Sequence, residues 1–99
     1  MKPWFSGYSE HALRYYVWFN AREAAAHKTK AEERLYEAAQ KAVNPYSAED
    51  QKIIFSIYGT RGDTNEIIRG TLGKAPREIW SMLRSVERAT AVNGGLIEN

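Results

Sequence analysis

The second half of this chain consists of short apolar segments interrupted by glycine and proline, and that spacing restricts it to short helices. An apolar run at residues 50–58 is followed by a glycine-bearing loop, and a second run at residues 66–73 ends in Leu-Gly. A third segment, residues 74–84, has Pro76 near its start, which suits a first helical turn because its missing N–H would have no partner there. Three short helices joined by tight turns are therefore predicted.

Two further helices are predicted in the first half. Ser9 is a suitable N-cap for a helix that extends to about His27. Thr29 begins a capping-box pattern, which predicts a second helix over about residues 30–43. One unbroken helix over residues 9–43 is the alternative, because no glycine or proline interrupts that stretch.

The clearest boundary lies at Pro45, because proline disfavours helical backbone in the residue before it. Ser47 then provides an N-cap for the next helix, and Gly95 follows a helix end of the left-handed type. The helices predicted between these two signals cover residues 48–58, 64–71 and 75–91.

The predicted fold class is all-α. We expect one compact domain over residues 1–99, made of an N-terminal helical hairpin (or one long helix) at residues 1–44 and a three-helix helix-turn-helix unit at residues 45–95. A chain of 99 residues buries a modest core, so we expect a homodimer or another partner to add stability.

The composition excludes several classes of protein. The chain has no cysteine, which rules out disulfides and thiolate metal sites and is typical of a reducing compartment, so a cytoplasmic location is expected. No run of residues approaches the roughly 18 apolar residues that a membrane span needs, and residues 1–8 lack the apolar core of a secretory signal. We expect no membrane association.

No catalytic or metal-binding pattern stands out in the sequence. His11 and His27 lack a second histidine or carboxylate at a recognised metal-ligand spacing. The chain also lacks a Ser-His-Asp signature, a phosphate-binding glycine loop and a nucleotide fingerprint. We therefore expect a protein without enzyme activity, metal or cofactor.

Residues 47 to about 90 resemble region four of bacterial sigma factors and the small phage-encoded transcription activators of the RinA and ArpU type. The similarity lies in an acidic-capped apolar helix that ends in Tyr58, a glycine loop at residues 59–62, a helix that ends in Leu72-Gly73, and the pair Ile79-Trp80. The resemblance implies a regulator, encoded by a phage or another mobile element, that binds double-stranded DNA by a helix-turn-helix and recruits RNA polymerase.

The last predicted helix carries the candidate DNA-binding surface. Its apolar positions share one face, which leaves the opposite face polar and basic. Arg77 and Ser81 near the start of the helix are predicted to reach base edges, whereas Arg84 and Arg88 are predicted to bind phosphates. The complete predicted DNA-binding set is Arg69, Lys74, Arg77, Ser81, Arg84, Ser85 and Arg88, with Lys52 and Arg61 as further candidates for flanking phosphates.

The charge of the chain supports this surface locally rather than overall. The net charge is only +2, but residues 69–88 hold five basic side chains against two acidic ones. A local basic stripe is sufficient to bind phosphates on an otherwise neutral domain. A solvated polar helix face that binds nothing is the alternative interpretation.

Aromatic side chains are concentrated near the N-terminus and predict a protein-binding surface. The predicted partner-binding residues are Trp4, Phe5, Tyr8, Tyr15 and Trp18. They support an alternative function, a protein-interaction module or inhibitor of a host protein such as polymerase or a defence nuclease, with a helix-turn-helix scaffold that does not bind DNA. Trp80, beside the basic face, is predicted either to seal the core or to act as a hot spot for a partner.

Overall fold

The computed structural model describes residues 2–22, 26–60, 64–70 and 73–98. Within these ranges the chain is helical, without strands, which confirms the all-α fold class. None of the helices in the described part is long and apolar enough to cross a membrane. The helices are α1 (Ser6–Ala21), α2 (Lys30–Val43), α3 (Ala48–Tyr58), α4 (Thr64–Gly70) and α5 (Pro76–Asn93).

The helix α1 begins and ends earlier than the sequence predicts. Phe5 occupies its N-cap position, so the prediction that Ser9 caps this helix is wrong. Ser9 is fully buried instead, and its hydroxyl donates to the backbone carbonyl of Glu87 at 2.6 Å. At the other end, His27 lies outside the helix, and its ring stacks on Phe19 with centroids 4.1 Å apart. Tertiary contacts of Ser9 and His27 therefore override the local signals at both ends.

The capping signals on either side of α2 are used as predicted. The Thr29 hydroxyl accepts a hydrogen bond from the Glu32 backbone N–H at 3.1 Å, and the Ser47 hydroxyl accepts one from the Asp50 N–H at 3.2 Å. Each cap satisfies a backbone donor that has no partner inside the helix. Because residues 26–29 lie outside any helix, α1 and α2 are separate and the alternative of one unbroken helix is wrong.

The end of α5 has the predicted left-handed residue. Gly95 has a φ of 80°, and its N–H donates to the Val92 carbonyl at 3.0 Å. The next N–H, that of Leu96, donates to the Ala91 carbonyl at 3.0 Å. This pair of bonds forms a Schellman motif, which satisfies carbonyls at the end of the helix and turns the chain away from its axis.

The core lies where α5 packs on α1 and α2, which are its most extensive neighbours. Fully buried side chains from α1, α2 and α5 meet there with Ile54 of α3, while alanines on α2 permit close approach. The smaller helix α4 contacts α3 and α5. The contacts of α5 are more extensive with α1 and α2 than with α3 and α4. The packing of α3, α4 and α5 as a helix-turn-helix unit therefore stays a prediction. The largest fully buried apolar side chains are Leu13, Val43, Ile54, Ile79 and Val86.

A guanidinium fixes the position of α3 relative to α1. Arg14 Nη1 donates to the backbone carbonyls of Tyr58 at 3.3 Å and of Thr60 at 3.2 Å. A cation at this place also complements the partial negative charge at the C-terminus of α3. The chain leaves α3 through Gly59, where a Cβ would lie only 2.6 Å from the Phe55 carbonyl oxygen and 2.9 Å from Val17 Cγ1.

Two glycine-to-alanine substitutions test this close approach. Gly59→Ala should lower the free energy of unfolding by about 1–3 kcal/mol, because the added methyl group would crowd both the Phe55 carbonyl at the end of α3 and the Val17 side chain of α1. Gly7→Ala is the matched control, since a Cβ there meets nothing within 4 Å. It should raise the free energy by about 0.4–1 kcal/mol by restricting the unfolded chain. Urea unfolding followed by circular dichroism measures both, and equal effects of the two substitutions would contradict this description of the junction.

Candidate nucleic-acid interface

The two sides of α5 differ sharply in burial. Ile79 and Val86 are fully buried and Leu83 nearly so, which confirms the predicted apolar stripe. The opposite side is exposed to solvent. It presents the residues Arg77, Ser81, Arg84 and Arg88, which we call the arginine strip.

The arginine strip forms a nearly straight row because its members follow the helical repeat. The sequence separations of four, three and four residues place successive members one turn apart on one face. From Arg77 to Arg88 the row extends about 16 Å at 1.5 Å per residue. No carboxylate in the described part of the chain lies within salt-bridge distance of its three guanidinium groups. These positive charges are therefore available to an anionic ligand.

The other residues predicted to bind DNA have different surroundings. Lys74 forms an ion pair with Asp50 at 3.1 Å, so it ties the turn before α5 to the start of α3. Ser85 is exposed on α5. Arg69 is exposed near the end of α4. Lys52 is also exposed, whereas Arg61 lies outside the described residues.

A polar network that the sequence analysis missed connects α5 to α1 and α3. Tyr58 donates to a carboxylate oxygen of Glu87 at 2.6 Å, and the Ser6 hydroxyl donates to the other at 3.3 Å. Together with the bond from Ser9 to the Glu87 carbonyl, this network joins α1, α3 and α5. No spacing in the sequence indicates it, because its members are separated by many residues and each is ordinary on a helix surface.

Burial gives the Glu87 carboxyl unusual acid–base properties. Burial raises the pKa of Glu87 above its ordinary value of 4.5, against the smaller opposing effect of the hydrogen bond from Tyr58. Burial, and then the neighbouring charge of Glu87, raises the pKa of Tyr58 as well. Tyr58 therefore stays protonated and remains the donor in this pair.

The side chain of Trp80 lies on the wall of a surface cleft instead of sealing the core. It is 39% exposed, which shows that the core-seal interpretation is wrong. The cleft, of about 570 Å³, lies between α5 and the lead-in segment that contains Lys2 and Pro3. Arg77 and Arg84 of the arginine strip also line it, so the cleft opens beside the strip.

The aromatic residues predicted to bind a partner do not form one surface. Trp4 is 74% exposed, whereas Phe5 is only 8% exposed and belongs to the core, so Phe5 offers no surface to a partner. Tyr8 is half-buried, and its hydroxyl and ring fill the space beside Gly94 where a Cβ would be. The Trp4 and Phe5 rings still meet edge to face, so these three residues differ in exposure although they are close in sequence.

The remaining two aromatic residues lie together further along α1. Tyr15 and Trp18 stack with ring centroids 5.9 Å apart, and the Arg22 guanidinium lies 5.0 Å from the Trp18 ring centroid. We call these three residues the α1 aromatic patch. Trp18 remains 46% exposed within it. The patch therefore presents a large apolar ring and a cation to solvent at one site.

Comparisons of the chain with protein-family models, with curated proteins and with solved structures yield no match. In the described ranges, no group of three or more histidine, aspartate or glutamate side chains is placed to hold a metal ion. The arginine strip, the Trp80 cleft and the α1 aromatic patch each place exposed cations or aromatic rings at the surface.

The Glu87 carboxyl should make the stability of the protein depend on pH in a defined direction. Because the pKa of Glu87 is raised on folding, the folded chain binds more protons than the unfolded chain at pH values between 4.5 and the folded pKa. The contribution of Glu87 to stability is therefore present below pH 4.5 and is lost as the pH rises through the folded pKa. Glu87→Gln keeps an oxygen acceptor for Tyr58 but does not titrate.

Urea unfolding at increasing pH tests this expectation. From pH 4.5 upward, the free energy of unfolding of the wild type should fall relative to that of Glu87→Gln. Glu33→Gln, an exposed position on α2, serves as the control and should follow the wild type. Parallel pH profiles for the wild type and Glu87→Gln would show that this carboxyl is not perturbed by folding.

Proposed function

We propose that this protein binds double-stranded DNA through the arginine strip and acts as a small helix-turn-helix transcription regulator. The observation that carries the proposal is the row of Arg77, Arg84 and Arg88 on one exposed helix face, without a carboxylate partner among the described residues. Such a row of cations complements the negative charge of a nucleic-acid backbone.

The position of the strip on α5 suits the major groove. That groove is about 12 Å wide and admits an α-helix. Arg77 and Ser81 lie near the start of α5, where recognition helices contact base edges, while Arg84 and Arg88 lie further along and reach phosphates.

The core of the protein supports this use of α5. The apolar stripe of α5 is held by α1 and α2, and the Glu87 network joins the same helix to α3. A strip on a helix that is fixed on its opposite side keeps its arginines in register, so less conformational freedom is lost on binding. The bonded Glu87 carboxylate is engaged with Tyr58 and Ser6, not with the arginines.

A second candidate function is the binding of a protein partner through the α1 aromatic patch. Tryptophan and arginine are enriched among the residues that dominate protein interfaces, and here Trp18 is 46% exposed beside Arg22. In a regulator this patch offers a contact for RNA polymerase. In a protein without DNA binding it is the surface through which a host protein is bound or inhibited.

Replacing two arginines of the strip tests the DNA-binding proposal. The double variant Arg84→Ala with Arg88→Ala should bind random-sequence duplex DNA more weakly. It should also lower the slope of log K against log salt by about 0.9 for each phosphate that the variant no longer neutralises. Fluorescence anisotropy with a labelled duplex, at several salt concentrations, gives both quantities.

The matched control replaces two exposed cations at the start of α2, as Lys28→Ala with Lys30→Ala. This variant removes the same charge and should retain most of the affinity and the salt slope of the wild type. Equal losses in the two double variants would mean that net charge, and not the strip, governs binding. Binding that is insensitive to salt, or absent at low salt, would instead favour the protein-partner function.

A further inference from the structure

The cleft beside Trp80 combines apolar walls with cations. Pro3 from the lead-in segment faces Trp80 and Leu83 of α5 across it, and Arg77 and Arg84 complete the α5 side. Its volume of about 570 Å³ falls within the range of sites that enclose small organic ligands. The cleft is therefore large enough for a planar ring together with an attached anionic group.

The ring of Trp80 differs from the other tryptophan rings in its contacts. Trp18 is stacked on Tyr15 and contacted by Arg22, and Trp4 meets Phe5 edge to face at 6.0 Å. In the part of the chain that the structure describes, Trp80 has no such ring or cation contact. Its exposed surface is thus free to stack on a ring supplied by a ligand.

The charges around the cleft select an anion. Lys2 is paired with Glu10 at 2.9 Å, and the Glu87 carboxylate is bonded to Tyr58 and Ser6. Arg77 and Arg84, by contrast, have no described carboxylate within salt-bridge distance. Trp80 lies three residues after the first arginine and four before the second, so the helical repeat places it beside both.

We propose that this cleft binds one unpaired nucleotide, with the base stacked on Trp80 and the phosphate held by Arg77 and Arg84. Within a duplex, both faces of each base are covered by neighbouring pairs, so only an unpaired base can stack on the ring. The inference rests on the proposed DNA interface, because the two arginines belong to the arginine strip; at an unpaired nucleotide, Arg77 contacts the phosphate in place of a base edge. It adds that the protein prefers DNA in which a base is already unpaired.

The same chemistry, a base with a phosphate, is present in a DNA strand and in a free mononucleotide, and the experiment separates these sources. The ligands are a fully paired 20-base-pair duplex, the same duplex with three central T·T mismatches, the oligonucleotide dT8, and thymidine 5′-monophosphate. Binding is measured by anisotropy of labelled DNA, with the mononucleotide as competitor. The variants are Trp80→Ala and, as the matched exposed tryptophan elsewhere, Trp18→Ala.

The mismatched duplex should bind the wild type about tenfold more tightly than the paired duplex, as expected for one base stacked on an aromatic ring. Trp80→Ala should remove this preference and leave the affinity for the paired duplex within about twofold, while Trp18→Ala should keep the preference. Thymidine 5′-monophosphate that competes at concentrations where dT8 does not would identify a free nucleotide as the ligand and overturn the assignment to a strand.

Other outcomes distinguish this inference from the proposed function. Equal affinity of the wild type for paired and mismatched duplexes, or a preference that survives Trp80→Ala, would overturn the cleft assignment and leave duplex binding intact. Binding of the mismatched duplex and dT8 alone, dependent on Trp80, would support the cleft and reject the duplex-binding function.

A second variant covers the case in which Trp80→Ala fails to fold. Trp80→Phe retains a ring that stacks and should keep most of the preference for the mismatched duplex. In the background Trp4→Phe with Trp18→Phe, Trp80 is the remaining tryptophan, and its fluorescence should be quenched when dT8 binds. An unchanged emission spectrum at saturating dT8 would contradict stacking in the cleft.

Discussion

Burial of the apolar stripe of α5 against α1 and α2 is the interaction on which the rest of the structure depends. Ile79 and Val86 are fully buried in it, and so is Leu13 on α1. Removing such side chains from water is the main favourable contribution to folding in a chain this short. Because that burial fixes the rotation of α5 about its axis, it also decides which side of the helix meets solvent. The packing of the core therefore determines that the arginine strip faces solvent.

Polar contacts then fix the relative positions of the helices more narrowly than the apolar core does. A hydrophobic contact is non-directional, whereas the Glu87 carboxylate accepts from Tyr58 and Ser6 only in a narrow geometry. Arg14 performs the same task at the end of α3 through two backbone carbonyls. These bonds connect helices that are far apart in sequence. The cleft beside Trp80 lies next to this network, between α5 and the lead-in segment, and both Ser6 and Glu87 line it.

The three surface features, the arginine strip, the Trp80 cleft and the α1 aromatic patch, offer different kinds of contact to a ligand or partner. The arginine strip offers charge in a straight row, the Trp80 cleft offers a ring between two cations, and the α1 aromatic patch offers a ring beside one cation. Strip and cleft share Arg77 and Arg84, so an occupant of the cleft alters the charge that the strip presents. The patch is built from α1 and the residue that follows it, and it is chemically independent of them.

The sequence by itself determined the helices whose signals are local. Residues 48–58, the caps at Thr29 and Ser47, and the left-handed end at Gly95 follow from hydrogen bonds between near neighbours, and the structure contains all of them. The period of 3.6 residues also determined the two faces of α5. Only the tertiary structure decided the role of Ser9 as a buried donor, the burial of Phe5 and the exposure of Trp80. The physical reason is that these outcomes depend on which distant helix lies opposite each side chain, and residue spacing carries no information about that.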